Sequence, residues 1–526
     1  METLVRSGIL TALSKRWTAI VCTLGLSGCQ VAAQLPPSSN GRQALGSSHS
    51  VIVQLFEWSW TDIAQECETW LGPNGYGAVQ ISPPHEHRII EQGATPFPWY
   101  QRYQPVSYKL SSRSGNRAEL ADMINRCHKA GVKVYADMVV NHMASAGKGK
   151  GIAGSEFDTA DFSYTGVPYT KADFNEPCII EPLDYIDEPW RLQHCQLSGK
   201  QDLNTSSDQV QAELATAMNE LLALGVAGFH LNAAQHIPSD HIAKILRRLR
   251  PLNTRFHING GRPFIYQEIT KTGSGSIETN NYFGNGAVTE FRYGRNLGEQ
   301  VRHGQLKNLV LFGEAWGMLP SHKAVVFTDN HNTQRSSDRN IVTFESPADN
   351  GASYRLANVF MLAWPYGTPK VMSSYDWPKE LGTWVGPPAN EQGQTLNVSC
   401  GDRWVCEHRW PEITNMVKFR NITQGTTTVN HWWDNGNNQI AFARGDRGFV
   451  VINNENAALD ETLITGLPEG QYCNVLSMPP NEAATNGITS ETLASCSHLI
   501  TVDAEGKADF EVGPQQAIAL HIGARL

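Results

Sequence analysis

Three carboxyl groups, three imidazoles and a set of amides recur at ordered places along this 526-residue chain. Asp137, Asn141 and His142 follow one strand-like run, and Asn232, Gln235 and His236 follow another. Glu268 closes a third, and Asp329, Asn330, His331 and Asn332 close a fourth. Carboxyl groups can transfer protons or attack an electrophilic carbon, while imidazoles and amides can hold a polar ligand by hydrogen bonds. Taken singly, each of these residues reads as a cap or a solvated loop side chain. Four successive clusters at the same end of four strands read as one site.

The elements that must present those clusters alternate between residues 51 and about 425. Strand-like runs VIVQLF, YGAVQIS, KVYADMVV, AGFHL, PFIYQEI, AVTEFRY and AVVFTDN are separated by helical stretches such as 208–224 and 239–249. This alternation predicts an α/β chain with a parallel sheet wound by helices, and the length suits a (β/α)8 barrel. Residues 142–201 are rich in Gly, Pro, Asp and Tyr and show little helical period, which marks an insertion after the third strand. From about Gln424 the texture changes to short alternating runs, QIAFARG, RGFVVIN and AIALHIG, the pattern of a small antiparallel β domain.

The N-terminus predicts export. Lys15 and Arg16 precede an apolar run over residues 17–26, too short to span a bilayer, which ends in Leu26-Ser27-Gly28-Cys29. Small residues before a cysteine resemble the processing site of bacterial lipoproteins. On that reading residues 1–28 are the signal, Cys29 is the lipid anchor, and 29–48 is a flexible tether; the destination is the bacterial cell envelope, at the outer membrane. Ordinary cleavage after Ala32 or Ala33, with simple secretion, is the alternative. Apart from Cys22 and Cys29, eight cysteines remain, an even number that fits disulfides in an oxidising compartment. Net charge is −9 with no basic cluster, so nucleic acid is not an expected partner.

The segments DMVVNH, GFHLNAAQH, YQEI and FTDNHN resemble, in order and position, the four signature regions of animal-type alpha-amylases, glycoside hydrolase family 13. QLFEWSW, ISPPHEH, RYQPVSYKL, GVAGF, WPYGTPKVMSSY and MVKFRN are similar to that family as well. The resemblance implies a barrel over 49–141 and 202–425, an insertion domain over 142–201 and a C-terminal β-sandwich over 426–526. It implies the disulfides Cys67–Cys127, Cys178–Cys195, Cys400–Cys406 and Cys473–Cys496. It further implies a monomer acting on starch-type α-1,4-glucans or maltooligosaccharides. Calcium would be held by Asn141, Asp202 and His236, with Gln193 where a backbone carbonyl contributes, an oxygen-rich set that suits this ion. Trp99, Tyr100 and Tyr103 match aromatic positions of the sugar groove. Asp137, His142, His236 and His331 complete the expected glucan contacts.

The same resemblance exposes departures. Glu268 matches the acid/base, but the nucleophile position is Asn232 and the third carboxylate position is Asn332. A retaining glycosidase needs a carboxylate nucleophile and an acid/base about 5 to 5.5 Å apart. A neutral amide neither attacks well nor balances positive charge on the sugar, so hydrolysis is expected to be crippled. The family's arginine two residues before the nucleophile is His230 and its lysine three residues after is Gln235. Of the chloride-holding set only Asn330 is kept, with Ala352 aligned to the basic position near the eighth strand, so the chloride site is expected to be lost. Three functions follow as alternatives: a glucan binder with weak or absent cleavage, an amylase whose Glu268 works with water or with another carboxylate, such as Glu86, Asp137 or Asp329, or a non-catalytic envelope scaffold.

Overall fold

The computed structural model describes residues 50–93, 95–270, 277–345, 351–480 and 496–526. Eight parallel strands close into a barrel: β1 (Ile52–Leu55), β2 (Ala78–Ile81), β3 (Lys133–Val139), β4 (Gly228–Asn232), β5 (Phe264–Gln267), β6 (Ala287–Thr289), β7 (Ala324–Val326) and β8 (Thr368–Ser373). Each strand pairs with its neighbours in sequence, and β8 pairs with β1. Between them run helices such as α1 (Trp60–Glu66), α2 (Arg117–Lys129), α3 (Asp208–Leu224), α4 (Ser239–Arg247), α5 (Phe291–Arg302) and α6 (Ala352–Ala363). The helix ends are written locally. Asn116 and Glu119 form a capping box at the start of α2, and Ser207 caps α3, which stops at Gly225 with φ 112°.

Register sets the heights of the side chains at the barrel mouth. Val139 on β3 lies opposite Asn232 on β4, and Leu231 lies opposite Gln267 on β5. The ladder continues one step further, with the Glu268 N–H donating to the Leu231 carbonyl at 3.0 Å. Asn232 and Glu268 therefore finish level on adjacent strands. Close approach of β4 and β5 needs glycine at 228, where a Cβ would lie 2.4 Å from the Phe264 carbonyl oxygen.

The insertion leaves and returns by a two-stranded antiparallel stem, His142–Ser145 against Lys200–Asp202, with His142 opposite Asp202 and Ser145 opposite Lys200. Glu86, after β2, accepts from the backbone N–H groups of Ala153 and Ser155 at 2.9 Å each and so pins the insertion to the barrel. Two short helices, Asp184–Asp187 and Pro189–His194, lie where little helical period was expected. One turn each is too short to leave a periodic signature.

After α7 (Pro411–Ile422) the chain forms an antiparallel sheet, β9 (Val429–Asp434), β10 (Gln439–Arg444), β11 (Gly448–Asn453) and β16 (Gln516–His521), in the order β9-β10-β11-β16. Two further antiparallel pairs, β12 (Leu459–Ile464) with β15 (Lys507–Val512) and β13 (Gly470–Cys473) with β14 (Leu499–Val502), make up the rest. β10 is buried along its whole length because both faces are covered. Ile440 and Phe442 join the barrel's core, while Ala441 and Ala443 join the core inside the β domain. β11 divides in the same way, Val450 and Ile452 on one side and Phe449 and Val451 on the other. All four expected disulfides are formed. Among the described residues no helix is long and apolar enough to cross a membrane.

Candidate active site

The C-terminal rim of the barrel and the insertion enclose a cleft of 610 Å³. Among the described residues that line it, Glu268 is the single carboxylate. Its Oε2 accepts from the Asn232 amide nitrogen at 3.0 Å and from the Ala233 backbone N–H at 2.8 Å, and its Oε1 accepts from the Asn332 amide nitrogen at 3.3 Å. Ala233 reaches that position with φ 51°, a left-handed conformation uncommon for a residue with a Cβ. Both amides thus present N–H donors to the carboxylate at the places where the family carries two more acids.

Aromatic rings form one wall. Trp99 and Trp384 stack at 6.0 Å with 26° between their planes, Tyr100 meets Trp384 edge-on at 5.3 Å, and Tyr103 meets Trp99 edge-on at 5.9 Å. His331 lies flat between Tyr103 at 5.2 Å and Phe56 at 4.9 Å, and its Nδ1 accepts from the Gln54 amide at 3.1 Å. Arg335 fixes this group from behind: it donates to the His331 carbonyl at 2.9 Å and packs on Trp377 at 4.2 Å. His142 donates through Nε2 to the Tyr103 carbonyl at 3.0 Å. His236 donates through Nδ1 to the Leu192 carbonyl at 2.9 Å and meets the exposed Tyr185 edge-on. Burial holds the imidazoles of His142 and His331 well below their ordinary range, and that of His236 at about 4, so all three are neutral hydrogen-bonding groups at pH 7.

Other expected residues stand outside the cleft lining. Asp137 is fully buried beneath it, accepting from His230 Nδ1 at 2.8 Å and from the Tyr103 hydroxyl at 3.0 Å. Asp329 accepts from Gln334 and Thr328, and burial raises its carboxyl to about 6. Glu86 is occupied by Ser107 and the two backbone donors of the insertion. None of these three acids lines the cleft beside Glu268. Asn330 spends its side-chain oxygen on the N–H groups of Asn332 and Thr333, at 2.9 and 2.8 Å.

The assignment of Ala352 to the eighth strand is corrected by the structure, because Ala352 opens helix α6. The basic residue on β8 is Lys370, buried inside the barrel with its Nζ donating to Gln54 at 3.0 Å and Gln80 at 3.1 Å. Burial pushes its ammonium down to about 8, against the pull of Asp137, Glu268 and Asp329. One more cation therefore stands near the centre than the alignment implied. Trp384, Lys200, Tyr185 and Thr270 are lining residues that sequence reasoning missed. Trp384 follows β8 as the other clusters follow their strands, and that position was the available signal.

Of the expected calcium ligands, Asn141 and Asp202 meet where the insertion stem leaves the barrel. Asp202 accepts from Asn175 at 2.7 Å through Oδ2, while its Oδ1 is buried with no hydrogen-bond partner. Burial raises this carboxyl to about 8, against hydrogen bonds from Asn175 and Asn141. Leu192, whose carbonyl receives His236, adjoins Gln193. An orphaned buried carboxylate oxygen among amide and carbonyl oxygens fits a hard divalent cation. Among the described residues no group of three or more His, Cys, Asp or Glu side chains is placed to hold a metal.

A closed barrel with an aromatic-walled cleft on its C-terminal rim, an insertion after the third strand and a C-terminal β domain defines the class. The description "Alpha amylase, catalytic domain" matches residues 100–384 and "Alpha amylase, C-terminal all-beta domain" matches residues 431–523. An alpha-amylase of Oryzias latipes is 44% identical over 96% of this chain and 99% of its own length. Pancreatic alpha-amylase 2a5 of Mus musculus is 42% identical over 96% and 99%. The crystal structure of a mutant of alpha-amylase I from Eisenia fetida with maltohexaose superposes with a TM-score of 0.83 at 42% identity, covering 90% of this chain and 97% of that one. The chain belongs to the alpha-amylase family, glycoside hydrolase family 13.

These relatives correct the expected destination. They are animal alpha-amylases, pancreatic by name in one case, and they point to secretion rather than to a bacterial outer-membrane lipoprotein anchored at Cys29. Cys29, the leader 1–28 and all but the end of the segment before β1 lie outside the described residues.

Proposed function

We propose that this protein binds α-1,4-glucans, starch chains or maltooligosaccharides, and cleaves them weakly or not at all. The observation that supports the reading is that, among the described residues, Glu268 is the sole carboxylate lining the cleft and that the side chains at both other expected acid positions are amides donating to it. Glu268 keeps the place of the proton donor. Asn232 supplies no carboxylate to form a glycosyl-enzyme, and no acid among Glu86, Asp137 and Asp329 stands in the cleft to replace it. Losing that electrostatic and nucleophilic contribution costs several kcal/mol at the transition state.

Binding rests on different chemistry. Trp99, Tyr100, Tyr103 and the exposed Trp384 offer faces for sugar rings, and the neutral imidazoles of His142, His236 and His331 offer hydrogen bonds to hydroxyls. Asp137 acts from beneath by holding the Tyr103 hydroxyl and His230. Asn141, Asp202, Gln193 and His236 would hold calcium, whose charge would compensate the buried Asp202 carboxylate and join the insertion (142–201) to the barrel (49–141 and 202–425), with the β domain over 426–526.

The test is paired. Calorimetry with maltohexaose should give a binding isotherm, while starch turnover should lie at least about a thousandfold below that of a relative with all three acids. Turnover at the relative's rate, or a covalent adduct at residue 232, would sink the reading. For calcium, a chelator should lower the melting temperature by ~5 °C and added calcium should restore it by mass action. A melting curve indifferent to both would remove the ion.

A further inference from the structure

Among the described residues lining the cleft there is one Lys or Arg, Lys200, set against the one carboxylate, Glu268. Nothing in the glucan reading above uses it. Lys200 opens the return strand of the insertion stem, opposite Ser145, and is partly buried. Its Nζ donates to the Leu197 carbonyl at 3.1 Å, and among the described residues it forms no ion pair. A single carbonyl leaves donor capacity on an ammonium that carries three N–H groups. The aromatic wall of Trp99, Tyr100, Tyr103 and Trp384 carries no charge.

Charge counting separates this cleft from one with three acids. Carboxylates at 232 and 332 would bring the lining to three anions against one cation, and an anionic ligand would be repelled. With amides at both places one anion faces one cation among the described lining residues. An ammonium partly withdrawn from water, with no carboxylate partner, gains most from an anion that arrives with a ligand.

We infer that the cleft takes α-glucan oligosaccharides carrying an anionic substituent, a phosphate monoester or a sugar carboxylate, on the portion of the chain that lies over the insertion, with Lys200 as the side chain that selects it. The inference rests on the glucan-binding reading and adds a charged class of ligand to it. Three probes separate the two: maltohexaose, maltohexaonate with its carboxylate at the former reducing end, and maltohexaose bearing a phosphate on its non-reducing glucose. Each is titrated calorimetrically into the full chain, into Lys200→Met and into Lys200→Arg.

At least one charged probe should bind the unaltered protein about tenfold more tightly than maltohexaose at low salt, and the advantage should shrink at about 0.5 M salt. The ratio of charged to neutral affinity should fall to about one in Lys200→Met and persist in Lys200→Arg. Which probe gains identifies the source of the charge and the direction in which the chain lies. Neutral and charged probes binding the unaltered protein equally, or the charged ones binding more weakly, would overturn the inference and leave glucan binding intact. A Lys200→Met variant that weakens all three probes by the same factor would overturn it as well, since Lys200 would then be holding the stem. Binding of none of the three would remove the glucan reading itself.

Discussion

Asp137 and Glu268 are buried acids at the mouth of the same barrel, and their surroundings are opposite in kind. Asp137 has an imidazole and a phenol for company, a partner that can carry the countercharge lying 2.8 Å away. Glu268 has two carboxamides and a backbone N–H, dipoles without a charge. The difference teaches that the replacements at 232 and 332 are more than deletions. Where two further carboxylates would crowd Glu268 at 3.0 and 3.3 Å, the amides turn repulsion into donated hydrogen bonds. His230, which stands where the family has arginine, is committed to Asp137 and has no charge to share with its neighbour across β4 and β5. One acid held by three N–H donors is easier to keep ionised than three acids crowded together.

The strongest way to break the comparison is to rebuild the acids. In Asn232→Asp combined with Asn332→Asp, the new carboxyls lie against Glu268 and no cation arrives with them. The buried ammonium of Lys370 is already shared among Asp137, Glu268 and Asp329. Their pKa values should rise, and kcat/KM on starch should recover by less than about tenfold. Adding His230→Arg should raise it by at least about a hundredfold over the double variant, because residues acting as a unit are strongly non-additive. Full recovery in the double variant would show that the missing arginine never mattered. Next in size is stability. Removing the imidazole in His230→Leu leaves the buried Asp137 without that hydrogen-bond donor and should cost about 3 kcal/mol in denaturant unfolding. Glu268→Gln removes a charge that had no ionic partner and should change stability by less than about 1 kcal/mol. Equal costs would erase the distinction.

A third buried acid calibrates the scale. Glu66 on α1 accepts from His408 at 2.7 Å and from Arg409, and although burial works to raise it, these partners hold it at about 2. Its folded value lies below its ordinary value of 4.5, so the stability it contributes is present above about pH 4.5 and is lost as pH falls toward 2. Glu66→Gln should therefore be less stable than the unaltered protein by about 2 kcal/mol at pH 7, with the gap closing between about pH 4.5 and 2. A gap independent of pH would mean that packing, and not charge, ties α1 to the segment ahead of α7.

Seven barrel strands were legible because their runs are apolar and β-branched. The eighth, TPKVMS, was visible only inside a longer family motif, since it carries a proline and a lysine. Inside the barrel Lys370, Gln54, Gln80 and Tyr266 form a polar cluster, with the Tyr266 hydroxyl donating to Gln80 at 2.8 Å, and apolar patterning cannot report such a layer. That is also why Ala352 was taken for the position on β8. The amide substitutions were legible residue by residue from the motifs GFHLNAAQH and FTDNHN. Their hydrogen bonds to Glu268 were not, because which amide atom faces the carboxylate depends on three loops closing together. The pairing of His230 with Asp137 spans 93 positions and needed the register of β3 with β4. The one-turn helices of the insertion left no period to read.

The two-faced burial of β10 and β11 bears on how such a chain can change over evolutionary time. Ile440, Phe442, Val450 and Ile452 belong to the barrel's core as much as to their own sheet, and Phe442 meets Phe360 and Trp364 of the preceding segment at 5.9 and 5.3 Å. A break near residue 425 would bare matching greasy surfaces on both fragments. The C-terminal part is thus no interchangeable cassette that recombination could swap between unrelated proteins. It travels with its barrel, and a lineage inherits the pair as one heritable unit whatever changes at the cleft.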